Sequence, residues 1–366
     1  MPERNTVSDS PSVLLETITA LSHRFGTPDY VCGGGGNTSA KNKSTLWVKP
    51  SGTTLAGLRP DLFVPIRRSR LAALYTTRPP QEPSAREQLV KEVMASAVLN
   101  GAAGRPSVES PLHDSLSARY VVHTHPALVN GMTCAKDGRA VCQRLFPDAF
   151  WMDYVDPGYT LCMAVRNEVE RFEKAHGRQP EMIFLKNHGV FVAADNPQRL
   201  EQLYQEIFRR LEAEYARAGL STKMEPAPLP NGFDREGAFA RIRSVFGSDA
   251  AGIAASGFFR PPAGPLTPDH IVYARSFPLT AEPTPEALEA YRRRCGCSPQ
   301  ILVWNDVVFG LGSTEKKAAL ALELALNGAL VVHLAEAFGG VEYMSEPARR
   351  FIEGWEVETY RSRQIQ

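Results

Sequence analysis

Cysteine is scarce, with six residues in 366, at positions 32, 134, 142, 162, 295 and 297. That is too few and too scattered for the disulfide framework of a small secreted domain. Only Cys295 and Cys297 stand close, as C-x-C, and no second pair follows at zinc-ribbon spacing. An excess of one charge is also missing. The 41 Lys and Arg residues oppose 40 Asp and Glu, for a formal net charge of +1. Chains that bind nucleic acid or anionic membrane surfaces usually carry a basic excess. The opening MPERNTVSDS is polar and holds no apolar signal core. The longest apolar stretch, 318–335, is interrupted by Glu323, Asn327 and His333, so it reads as a core helix rather than a bilayer span. These absences lead us to expect a cytoplasmic, reduced chain that engages neither nucleic acid nor membrane.

What is present suffices for two cores. Hydrophobic residues make up 43% of the chain, and its length exceeds what one ordinary core serves. Apolar positions at helical spacing mark 12–24 (Leu14, Leu15, Ile18, Leu21) and 198–215 (Leu200, Leu203, Tyr204, Ile207, Phe208, Leu211, Tyr215), and 86–100 reads as a further helix. Residues 120–125 alternate as a strand, and 46–49 reads as a shorter one. In 182–194, two apolar runs hinge at Asn187-His188-Gly189. Pro226, Pro228, Pro230 and Gly232 form a linker, so the expected domains are 1–222 and 223–366. MIFLKNHGVFV at 182–192 resembles QILVWNDVVFG at 300–310 without gaps. The second domain then reads as a degenerate repeat in which Asp306 stands for His188 and Tyr273-Ala274-Arg275 falls where a histidine pair would be. That copy is expected to hold no metal. The plain alternative is that any two strand–turn–helix units look alike.

The chemistry concentrates in the first domain. In VVHTHP, residues two apart on a strand share a face, so His123 and His125 can present ring nitrogens to one ion. His188, at the glycine hinge, is a third ligand candidate. Glu109, in RPSVESPLH, is the nearby carboxylate, with room for a short helix between it and the strand; His113 competes for the same site. Three histidines and one carboxylate suit zinc with an exchangeable position. The run Gly33–Gly36 before Asn37-Thr38-Ser39 fits neither the dinucleotide fingerprint nor the P-loop. Its backbone N–H groups can instead cradle an anion, with Lys49 and Ser51-Gly52-Thr53 adding charge and donors. A flexible surface loop is the bland alternative.

The ordered set Gly-Gly-Asn-Thr-Ser, Lys-Pro-Ser-Gly-Thr, Pro-Ser-Val-Glu-Ser-Pro-Leu-His, Val-His-Thr-His-Pro and Asn-His-Gly-Val-Phe resembles the class II aldolase/adducin family over about residues 12–218. Residues 220–366 look like the segment that follows the aldolase module in long bacterial rhamnulose-phosphate aldolase/dehydrogenase proteins, without a dehydrogenase domain. The resemblance implies a three-layer αβα fold around a central mixed, largely antiparallel sheet. It also implies a zinc-dependent lyase or epimerase of sugar phosphates, usually a homo-tetramer. Carried over, His123, His125 and His188 fall on the metal histidines. Glu109 falls on the carboxylate that ligates zinc at rest and moves a proton with substrate bound. Gly36, Asn37, Ser51, Gly52 and Ser107 fall on phosphate-binding positions. Val108 departs from the hydroxyl residue often found just before the acid. Sugar-phosphate epimerase, keto-acid phosphate decarboxylase and non-catalytic adducin-like module remain the alternative readings.

Overall fold

The structure, a computed structural model, describes residues 10–80, 82–99 and 104–355. Its contacts group the chain into two units, Met1–Pro126 with Cys142–Arg209 and Ala127–Val141 with Arg210–Gln366. The helix Pro197–Arg217 runs from one into the other, ending shortly before the expected cut at 222/223.

In the first unit the strands are β1 (Asn37–Lys41), β2 (Thr45–Val48), β3 (Val64–Arg67), β4 (Tyr120–Thr124), β5 (Phe150–Met152), β6 (Met182–Leu185) and β7 (Gly189–Ala194). They form one mixed sheet in the order β3-β2-β1-β4-β7-β6-β5. Only the β5–β6 pairing is parallel. The αβ fold class expected from the resemblance is what the chain adopts, with helices flanking this sheet.

Local sequence explains the elements that carry it. The helix Pro11–Arg24 begins with Ser10, whose hydroxyl accepts from the Val13 N–H, followed by Pro11 at a position where no N–H is needed. It buries Leu14, Ile18 and Leu21, each worth roughly 1.5–3 kcal/mol of removal from water. β4 is buried along its whole length, as a central strand must be. Phe25, Tyr30, Tyr204 and Phe208 pack ring against ring behind it.

β4 and β1 run antiparallel, as do β4 and β7, with Asn37 opposite His123 and Phe191 opposite His123. The C-terminal end of β4, the start of β1 and the turn before β7 therefore meet at one end of the sheet centre. Gly189 permits the last approach: a Cβ there would meet the Thr124 carbonyl oxygen at 2.4 Å and His125 Cδ2 at 2.7 Å.

The second unit holds β8 (Gly252–Gly257), β9 (Leu279–Thr280), β10 (Ile301–Trp304) and β11 (Val307–Gly312), ordered β8-β11-β10-β9. Its strand directions reproduce those of β4-β7-β6-β5: antiparallel, antiparallel, parallel. Asn187 and Asn305 share a left-handed φ of 52° and 50°, and a helix of 21 residues follows each hairpin, Pro197–Arg217 and Glu315–Ala335. The strand register corrects one expectation. His123 faces Phe191 in the first sheet and Ala255 faces Phe309 in the second. Ala255 and Gly257 thus stand where the histidine pair stands, not Tyr273 and Arg275. Tyr273 lies in the helix Pro268–Ala274 and Arg275 caps it, because Pro268 starts a helix there after the extended Thr267.

The helix 315–338 is apolar and long enough to cross a bilayer by composition alone. Here it is the core helix of the second unit, burying Ala321, Leu324, Ala325, Val331 and Leu334 among others.

Candidate metal centre

The strand pair behaves as its period of two requires. His123 and His125 both turn toward His188, and the three rings place ligand nitrogens within 4.8 Å of one another. His125 Nε2 lies 2.9 Å and His188 Nε2 3.3 Å from His123 Nε2. His123 Nδ1 lies 3.0 Å from the Val190 carbonyl oxygen. A carbonyl only accepts, so Nδ1 carries the proton and Nε2 presents a bare lone pair to the cluster. The ring is further fixed by stacking on Phe191, 3.8 Å between centroids and 9° between planes.

One lone pair can take a proton from one neighbour but not from two. Three buried or half-buried imidazoles converging on one point therefore suit a shared cation better than hydrogen bonding among themselves. The 2.9 and 3.3 Å spacings from His123 Nε2 are of the size that nitrogens sharing one divalent ion adopt, ~3.3 Å for ~2.0–2.1 Å bonds in a tetrahedron. His188 reaches the point because Asn187 adopts the left-handed turn, with the His188 N–H bonded to the Leu185 carbonyl at 3.2 Å.

Glu109 faces the same point. It precedes the short helix Ser110–Ser115 at the N-cap position, but its side chain makes no capping bond, so the carboxylate is not used by its own helix. Oε1 lies 3.6 Å from His123 Nε2 and 3.7 Å from His188 Nε2. Oε2 receives a hydrogen bond from Asn37 Nδ2. His113 does not join the three nitrogens. It is fully buried, with Nδ1 2.8 Å from Ser39 Oγ and its ring edge against Phe191. Its Nε2 has no hydrogen-bond partner among the described residues. Burial, then the charge of Lys41, pushes its pKa down to about 3, so it is neutral.

The residues expected to hold phosphate lie on three segments. Gly36 has φ 67°, and a Cβ there would meet the His123 carbonyl oxygen at 2.8 Å. Ser51 and Gly52, the latter at φ 86°, form a turn joined to the segment before the acid: Pro50 bridges Pro106, and the Ser51 N–H donates to the Arg105 carbonyl at 2.8 Å. Ser107 is buried, and its hydroxyl accepts from the Glu109 N–H at 3.2 Å. Lys49 Nζ donates to the Gly34 carbonyl at 3.3 Å, tying the glycine run to the second segment. Asn37 is engaged by Glu109, a role its place in the glycine motif did not suggest. Sequence reasoning also passed over Ser39 and Lys41. Their signal was the alternation Asn37-x-Ser39-x-Lys41, a polar stripe on one face of a buried strand.

Known proteins are similar to this chain in sequence. A family model described as the class II aldolase and adducin N-terminal domain matches residues 16–213. A Bacillus subtilis (strain 168) protein named uncharacterized oxidoreductase YuxG is 27% identical over 209 residues, covering 54% of this chain and 29% of that protein. This chain thus spans less than a third of that relative's length. Among solved structures, the N-terminal class II aldolase domain of a conserved Thermoplasma acidophilum protein is similar, with a TM-score of 0.47 and 24% identity, covering 58% of this chain and 97% of that one. So is the L-fuculose-1-phosphate aldolase of Thermus thermophilus, with a TM-score of 0.38 and 14% identity, covering 56% of this chain and 96% of that one.

Proposed function

Because the chain belongs to the class II aldolase and adducin family by its match over residues 16–213, we propose that it is a metal-dependent lyase that breaks or forms a carbon–carbon bond in a sugar phosphate. Zinc is the ion assigned, on His123, His125 and His188, with Glu109 beside it. The observation that carries the reading is the convergence of three Nε2 atoms with a carboxylate oxygen at 3.6 and 3.7 Å from two of them. A divalent ion held there supplies a Lewis acid for negative charge developing on substrate oxygens.

The chain's own residues do the rest. In the cleavage direction Glu109 takes the proton of the substrate hydroxyl as the carbon–carbon bond breaks, so that an aldehyde departs and an enediolate is left. Glu109 then gives a proton to the carbanionic carbon, and it takes that proton back in the reverse direction. Asn37 holds Oε2, which leaves Oε1 as the oxygen turned toward the histidines. The His123 tautomer, set by Val190, keeps a lone pair directed at the centre. Gly36, Ser51, Gly52 and Ser107, with Asn37, are assigned to the substrate's phosphate, and Lys49 adds charge beside the glycine run. The protein is assigned a homo-oligomeric state and a cytoplasmic location. Epimerisation or decarboxylation on the same residues would use the same proton carrier.

The test is deuterium exchange at the hydroxymethyl carbon of dihydroxyacetone phosphate, followed by proton NMR in D2O. Wild-type protein loaded with zinc should exchange, and Glu109→Gln should lose about a hundredfold or more in rate, the scale of a general acid–base group. Unchanged exchange in that variant removes Glu109 from the mechanism.

A further inference from the structure

β1 does more than complete the sheet. Its residues Asn37, Ser39 and Lys41 lie at a spacing of two, all buried, and all three reach the segment that carries Glu109. Asn37 Nδ2 donates to Glu109 Oε2. Ser39 Oγ pairs with His113 Nδ1 at 2.8 Å, one turn further along the short helix. Lys41 Nζ donates to the carbonyls of His113 and Leu116, at the end of that helix.

The helix needs such support. At six residues it is too short to hold its own shape, and its last carbonyls have no intrahelical partner. A cation at its C-terminus satisfies those carbonyls and suits the local dipole. Other contacts act on Asp114 in the same helix: Arg68 Nε lies 2.5 Å from Oδ1 and the Tyr75 hydroxyl 3.0 Å from Oδ2. These hold the helix from the side of the short helices Arg68–Leu71 and Ala73–Thr76 that follow β3. The Tyr75 hydroxyl also donates to the Pro111 carbonyl at 3.1 Å, near the helix start. The three β1 contacts grip the segment at its start, middle and end, next to the acid itself.

We infer that Ser39 and Lys41, acting through His113 and the ends of the helix Ser110–Ser115, are positioning residues that set the reach of Glu109 toward the three-histidine centre. The inference rests on the reading of Glu109 given above. It concerns residues that do not touch the centre themselves and act only through the acid. Without Ser39 the helix keeps its contacts at start and end but loses the one at its middle. Without Lys41 its terminal carbonyls are left buried without a donor.

The experiment loads the full-length chain with cobalt(II), whose visible absorption responds to the number and type of its N and O ligands. Wild type, Glu109→Gln, Ser39→Ala and Lys41→Met are compared, each with cobalt content measured. The expected result is that Glu109→Gln changes the spectrum. Ser39→Ala and Lys41→Met should move the wild-type spectrum toward that of Glu109→Gln while keeping one cobalt per chain. A purely structural role would lower stability and leave the spectrum of the folded protein alone, and that result overturns the inference. Should Lys41→Met fail to fold, Ser39→Ala decides it alone, since its only deletion is one hydroxyl. A Glu109→Gln spectrum identical to wild type would show that the acid does not reach the ion. That outcome rejects the reading beneath the inference, and it is distinguishable from silence of the β1 variants alone.

Discussion

A lysine with 3% of its surface exposed is costly to keep charged. Burial lowers the Lys41 pKa to about 7; Asp114 pulls it back up, Arg68 pushes it down and Asp195 raises it. The sign follows from proton counts. Unfolded lysine keeps its proton to about 10.5, so between pH 7 and that value the unfolded chain binds more protons than the native one. Stability contributed by this residue therefore rises with pH across that window, by an amount on the order of a few kcal/mol. Urea midpoints measured from pH 7 to 10 should climb more steeply for wild type than for Lys41→Met. Parallel profiles would mean that the lysine is not buried as described. At this scale the histidine pair was legible because strand periodicity alone puts positions 123 and 125 on one face. The part played by Ser39 and Lys41 was not, because it depends on β1 lying beside the helix of Glu109, a pairing between segments distant in sequence.

The hairpin of β6 and β7 is the element that completes the site. Its two apolar runs and its Asn-His-Gly hinge were readable as a sharp turn, and the structure adds why the last residue is glycine. Any side chain at 189 runs into the Thr124 carbonyl and the His125 ring. Gly189→Ala should cost about 1–3 kcal/mol, as overpacking does, and should push His188 away from the β4 pair. Thermal denaturation should show the lowered midpoint, and calorimetric zinc titration should show affinity falling by about tenfold or more, the scale of a disturbed ligand orientation. Wild-type affinity with a lowered midpoint would mean that the hairpin shifts as a whole and the turn geometry is not what brings His188 in. The strand read from alternation at 120–125 is β4 (Tyr120–Thr124), and the short one read at 46–49 is β2 (Thr45–Val48). β1 was missed as a strand because it starts directly after four glycines and carries polar residues on a buried face, the reverse of the usual pattern.

Among the described residues the chain carries one arrangement of strands twice and the three-histidine cluster once. Hairpin, flanking strands and following helix agree between the units in order and direction, yet Ala255, Gly257 and Asp306 occupy the second set of places. The repeat was visible at the hairpin, where spacing is rigid. It was misjudged upstream, where the helix Pro268–Ala274 took the place assigned to a strand. The second unit has a core of its own, supplied by Ile242, Leu302, Phe309 and Leu311 among others. The whole molecule is accordingly assigned one ion, not two, held by a single set of nitrogens in the first unit. Elemental analysis of the zinc-reconstituted full-length protein tests that most directly, with His123→Ala and His188→Ala measured beside it. One zinc per wild-type chain is expected, with a loss to well below one in either variant. A wild-type chain without stoichiometric metal, or variants that still bind one zinc each, would contradict the assignment.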